Sequence, residues 1–250
     1  MNRVGEVNVN KYNSIMKIIE YNNAKDIIVE FENGHKVKSR YAEFKEGAIK
    51  SPYDKSMFGT GYLGIGDFKA VENGTHTKAY HYWYDMFKRC FDKKYKEKHN
   101  TYKNKVICEE WHDFQNFAKW YYENYYEVED ERMELDKDIL YRDNKIYSPN
   151  TCIFVPKRIN TLFIKCDSVR GKYPIGVTYN KNFYIARCST LKNGKIDRVM
   201  IGRYNNPLDA FYAYKSFKEK YIKEIADNYR DMIPKVLYDA MYDYEVRITD

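Results

Sequence analysis

Residues 135–160 constrain the fold more than any other stretch. They read Leu-Asp-Lys-Asp-Ile-Leu, a polar turn over 141–144, Lys-Ile-Tyr-Ser-Pro-Asn-Thr-Cys-Ile-Phe-Val-Pro, then Lys-Arg-Ile-Asn. Apolar and β-branched residues cluster on both sides of the turn and Pro156 closes the second cluster, so the pattern predicts two short strands followed by the start of a helix.

The chain has 250 residues, of which 32% are charged and 44% hydrophobic. That length is ample for stable cores without staples. No apolar run approaches the roughly 20 residues of a membrane span, so a soluble protein without a membrane partner is expected. The opening Met-Asn-Arg-Val-Gly-Glu has no apolar h-region, which predicts a cytoplasmic location. Cys90, Cys108, Cys152, Cys166 and Cys188 are scattered with no C-x-x-C pair. They are expected to be reduced core thiols, and no structural zinc is expected.

The net charge of +7 is unevenly placed: residues 171–215 carry eight Lys and Arg against two Asp. Residues 88–105 carry eight Lys and Arg against Asp92 and Glu97. Two such patches, interleaved with Tyr and Phe in a chain holding 27 tyrosines, suit a binder of the phosphate backbone.

Along the chain, residues 14–50 alternate as three or four strands of a small sheet, with a hairpin at Asn33-Gly34. Glycines 59, 61, 64 and 66 read as a linker or extended wrap, and no Walker spacing follows them. From Thr77 the period becomes helical, with Tyr80, Trp83, Phe87, Cys90 and Phe91 on one stripe. A second helix is predicted from about Glu110, carrying Trp111, Phe114, Phe117, Ala118 and Tyr121. Residues 171–204 predict three strands, the last two joined through Lys192-Asn193-Gly194-Lys195. A helix then opens at Asn206-Pro207, with Asn as N-cap and Pro in the first turn. One face of this sheet is expected to pack on the helix. The other would present Arg187, Ser189, Arg198 and Arg203, with Lys181 and Lys195 near the turns, and such a face can lie in a major groove. A last amphipathic helix after Pro234 serves as a cap or a homodimer contact.

Two blocks resemble the phage-type HNH homing endonucleases that carry an AP2-type DNA-binding domain. The AP2 likeness rests on Gly176-Val177, Tyr184-Ile-Ala-Arg187, Ile201-Gly-Arg-Tyr204 and the helix start Pro207-Leu-Asp-Ala-Phe-Tyr-Ala-Tyr214. The HNH likeness rests on Trp83-Tyr-Asp-Met-Phe-Lys-Arg-Cys90, Val106-Ile-Cys-Glu-Glu-Trp111, Phe114-Gln-Asn-Phe117, Leu135-Asp-Lys-Asp-Ile139 and Tyr147-Ser-Pro-Asn-Thr-Cys152. Taken together the chain is expected to be α+β, with a small β domain over 1–58 and a Gly-rich linker over 59–75 read from the alternation and the glycines, and a ββα-metal finger domain with preceding helices over 76–168 implied by the resemblance. An AP2-like three-stranded sheet plus helix follows over 169–230, then a C-terminal helix over 231–250.

It further implies that Asp136 and Asn160 bind Mg²⁺ or Mn²⁺ if the finger is active, that Asn150 holds the turn between strand and helix, and that the residue after Asp136 is the base. That residue is Lys137. A lysine is protonated at neutral pH and cannot take a proton from water, which predicts an impaired nuclease unless His112 or His81 substitutes. Lys93 and Lys94 join the expected DNA contacts. The leading expectation is a duplex DNA-binding protein of the host bacterial cytoplasm. An active metal-dependent endonuclease and a binder of a host protein stand as alternatives.

Overall fold

The structure is a computed structural model describing residues 2–165, 171–192 and 195–250, without the side chains of Asn100, Lys192 and Lys195. It is a mixed α+β fold in two compact units, residues 1–125 with 145–150 and residues 126–144 with 151–250.

In the first unit, β1 (Val7–Val9), β2 (Ile15–Asn23), β3 (Asp26–Phe31) and β4 (Lys36–Ser39) form an antiparallel meander in chain order. Alternation along β2 and β3 buries Met16, Ile18, Ile27, Val29 and Phe31 on one face, which Phe44 of α1 (Tyr41–Lys45) closes. The expected turn is present: Gly34 takes φ +82° and the Asn33 side chain accepts from the His35 N–H. Register shifts between Ile18 and Glu20, and between Tyr21 and Asn23, supply the curl.

The glycine segment is not slack. A Cβ on Gly61 would meet the Phe87 ring at 2.6 Å, and one on Gly64, at φ +66°, would meet the Asp113 carboxylate at 2.2 Å. These glycines let the backbone press onto the side chains of Phe87 and Asp113, as an extended wrap does. Within the same stretch, β5 (Val71–Glu72) and β6 (Thr75–His76) close a hairpin on Asn73-Gly74, both at positive φ. The helix α2 (Lys78–Phe91) starts on Thr77, whose hydroxyl accepts from the Tyr80 N–H, and buries Trp83, Phe87 and Cys90. A short basic helix, α3 (Lys93–Lys98), follows. The strand β7 (Val106–Ile107) pairs in parallel with β9 (Ile146–Tyr147). The helix expected from Glu110 begins instead at α4 (Phe114–Asn124), because the Asp113 carboxylate caps the Gln115 N–H and residues 109–112 form a 3₁₀ turn.

In the second unit, β8 (Met133–Asp136) and β10 (Ile153–Pro156) pair antiparallel, and α5 (Lys157–Leu162) packs on both. The predicted strand–strand–helix order is therefore present. It folds with residues 171–250 and not with α2 and α4, unlike the single unit expected over 76–168. The loop after β8 shows why: Arg142 donates to the Glu245 carbonyl and to the Asp250 carboxylate, and Lys165 adds a second cation to Asp250 at 3.1 Å. Beyond it, β11 (Val177–Asn180), β12 (Phe183–Lys192) and β13 (Lys195–Tyr204) form an antiparallel sheet covered by α6 (Pro207–Asn228). The Asn206 side chain caps α6 with Pro207 in the first turn. The last helix, α7 (Lys235–Tyr242), buries Leu237 and Met241 and packs on α6, which gives it a capping role inside this unit. Asn193, Gly194 and Cys166 lie outside the described residues. No helix among the described residues is long and apolar enough to cross a membrane.

Asp250 yields a pH prediction. Burial pushes its carboxyl up, but the Arg142 bond, the Arg247 N–H and Lys165 outweigh this and hold it below the usual range. The folded value lies below the unfolded one. The stabilisation is therefore present above the unfolded carboxylate value of about 3.9 and is lost as pH falls through the folded value. Asp250→Asn is expected to cost about 2–3 kcal/mol at pH 7 in urea unfolding, with the difference closing as the Asp250 carboxylate is protonated in acid.

Candidate nucleic-acid interface

The outer face of the three-stranded sheet is built by alternation and one irregularity. Val177, Ala186 and Cys188 turn inward onto Ala210, Phe211 and Tyr214 of α6, so Arg187 and Ser189 turn outward. Across the strand, Arg187 faces Met200, Ser189 faces Arg198 and Ile185 faces Arg203. A bulge between Ala186 and Arg187 separates these pairings. Arg187, Ser189, Arg198 and Arg203 are all exposed, although Ile185 among them is 4% exposed. None of the three guanidinium groups has an ion-pair partner among the described residues. The outward residues of β11 to β13 include no carboxylate.

Lys181 is the first residue of the two-residue β11–β12 turn, with φ +46° there and +72° at Asn182. It is exposed at the rim of the face. The Lys195 side chain lies outside the described residues. Lys93 and Lys94 are exposed on α3 of the first unit.

The strand–helix element places the other expected residues. Glu134 and Asp136 share one face of β8, since they are two apart and pair with Val155 and Ile153. Asn160 on α5 donates its amide to Glu134 Oε2 at 2.5 Å. Asp136 Oδ1 accepts from the Asp138 and Ile139 N–H groups, each at 2.7 Å, and so fixes the turn that follows. Protein surrounds the Asp136 carboxyl closely and pushes its pKa up, against the two N–H bonds that pull it down. Its side chain nonetheless stays partly open to solvent. Glu134 was missed in the sequence, where the period-2 step from Asp136 could have found it.

Lys137 does not join that face. Its side chain is 3% exposed, and its ammonium donates to Asp138 Oδ2 at 2.5 Å and to the Asn144 carbonyl at 3.2 Å. Asn144 returns a bond to the Lys137 carbonyl at 2.9 Å. Lys137 thus ties the 137–144 loop, and the position expected to carry the base is spent on structure. Asn150 lies in the turn before β10, within the 145–150 segment of the first unit. All five histidines precede Asp113. His81 is exposed on α2 and His112 sits edge-on to Phe87, both in the first unit. Among the described residues, no three His, Cys, Asp or Glu side chains gather as a metal site.

Lys137→His is expected to give no DNA cleavage with Mg²⁺ or Mn²⁺ and to cost roughly 1–3 kcal/mol, read by plasmid nicking and thermal unfolding. A gain in cleavage would mean that this position does reach substrate.

The chain was compared with protein-family models, curated proteins and solved structures, and no match was found in any of the three.

Proposed function

We propose that this chain is a phage-type duplex DNA-binding protein that uses the outer face of β11, β12 and β13, occupying a site in the major groove. The observation that carries this reading is the exposed, acid-free set of Arg187, Ser189, Arg198 and Arg203. A three-stranded sheet with guanidinium forks can enter the groove, whose guanine edges offer O6 and N7 to such forks. The AP2 likeness, whose blocks include Arg187 and Arg203, points the same way, and Lys93 and Lys94 would add contacts to phosphate. Titration of labelled duplex against salt tests it: log Kobs should fall linearly with log[salt], with a slope of about −3 to −6. Undetectable duplex binding at about 50 mM salt, together with a tight complex with a host protein, would replace this reading.

A second reading, metal-dependent cleavage, is favoured by one observation: Glu134 and Asp136 share one face of β8, and Asn160 of α5 is hydrogen-bonded to Glu134. This all-oxygen set fits Mg²⁺ or Mn²⁺, which bind through one or two carboxylates with substrate phosphates and water completing the shell. When bound there, the ion would stabilise charge on a scissile phosphate. The chain's own part is positional. Asp136 Oδ1 is held by two N–H groups, which fixes the carboxylate, and Asn160 anchors Glu134 from the helix. The residue that follows supplies no base. Mg²⁺-dependent nicking that Asp136→Asn abolishes would establish this reading, since the variant can keep both N–H bonds and the turn.

A further inference from the structure

The same outer face carries two apolar side chains that no core explains. Met200 is 52% exposed and Ile196 75% exposed. Met200 lies across from Arg187, Ile196 across from Leu191, and Arg198 stands between them across from Ser189. The core of this module draws instead on the opposite face, where Ala186, Cys188 and Ile201 meet α6. Open apolar groups within a cationic face suit a ligand that is polyanionic at its rim and locally apolar at its floor. A duplex offers this in the major groove, where each A·T pair presents the C5-methyl of thymine beside hydrogen-bonding edges. Methionine is unbranched and polarizable and adapts to such a contact.

We propose that Met200 and Ile196 are specificity-determining residues that pack on thymine C5-methyl groups flanking the base faced by Arg198. This rests on the duplex-binding reading above and adds a sequence rule to it. Residues four apart on a strand are separated by about 13 Å. That is close to four base-pair rises of about 3.4 Å. The bound site should therefore hold two methyl-dependent positions about four base pairs apart.

The test begins with the full chain and a random duplex pool, from which bound sequences are enriched. Affinity is then measured for an enriched duplex and for versions with deoxyuridine replacing one thymine at a time, a change that removes only the methyl. The wild type is expected to lose about fourfold at each of two positions, the worth of one buried methyl-sized group. Met200→Ala should lose its sensitivity at one of them and Ile196→Ala at the other, while Met200→Leu keeps it. Both residues are exposed, and far-UV circular dichroism confirms that each variant is folded. Salt-dependent duplex binding with no uridine effect anywhere would overturn this inference and leave DNA binding standing. A uridine effect unchanged in Met200→Ala and Ile196→Ala would also overturn it. If the pool yields no bound duplex at all, the duplex-binding reading itself fails.

Discussion

Replacing Arg187 and Arg198 together with alanine should weaken duplex affinity by roughly 100-fold, because each guanidinium fork on a base edge is worth about 1–3 kcal/mol. The two side chains point outward from neighbouring pairs of the β12–β13 ladder and carry no ion pair among the described residues. Their removal therefore leaves the folded unit with no orphaned charge, and its unfolding midpoint should stay where it is. The loss should also be larger for an enriched site than for random duplex. Lys93→Ala with Lys94→Ala gives the contrast. If these lysines meet phosphates, affinity falls by a similar factor on every sequence and the salt slope drops by about one unit per lysine. Fluorescence anisotropy at several salt concentrations separates the two patterns. An Arg187→Ala, Arg198→Ala variant that binds duplex as tightly as the wild type would remove the outer face from the interface.

Gly176→Ala should destabilise the β11–β13 sheet and its α6 cover without replacing any outward residue. Gly176 takes φ +76°, where a side chain is strained by about 1–2 kcal/mol. A Cβ at this position would meet the Tyr214 ring at 2.1 Å. Tyr214 is 6% exposed beneath the sheet and cannot give way without opening the core it shares with Val177 and Phe211. Overpacking adds roughly 1–3 kcal/mol, so the variant is expected to lose roughly 2–5 kcal/mol in total. The Gly176 carbonyl also accepts the Arg187 N–H at 2.8 Å, so a shift here displaces Arg187. Urea unfolding reads the stability loss. Duplex affinity should fall with it, and should be recovered in part by Tyr214→Ala, which makes room for the new methyl.

Much of this was legible in the sequence because it depends on local chemistry. Thr77 and Asn206 read as helix starts, and both cap their helices. The clusters around residues 141–144 gave β8 and β10 in the expected order only in part, since Ile146-Tyr147 of the second cluster pairs apart from them as β9 with β7. The role of Lys137 was not legible. The resemblance gave its position to the base, a task a protonated lysine cannot perform, but its structural use was hidden because its partner Asn144 is brought to it only by closure of the loop. The glycines at 61 and 64 were equally ambiguous, since the same absence of a side chain serves slack and close approach. Only the positions of Phe87 and Asp113 decide between them.

The outer face shows the division most sharply. By itself, the sequence determined that β12 alternates, which places Arg187 and Ser189 on one side and Ala186 and Cys188 on the other. It offered no reason why Arg198 and Arg203, expected on that side too, should both reach it. Those two are an odd number of residues apart, and strict alternation would send them to opposite faces of β13. The bulge beside Ala186 inserts one unpaired residue between Met200 and Gly202 and so restores both arginines to the outer side. Alternation is a property of each chain segment, whereas a bulge belongs to the pairing of two strands, so only the tertiary structure shows how the expected four-residue face is reached.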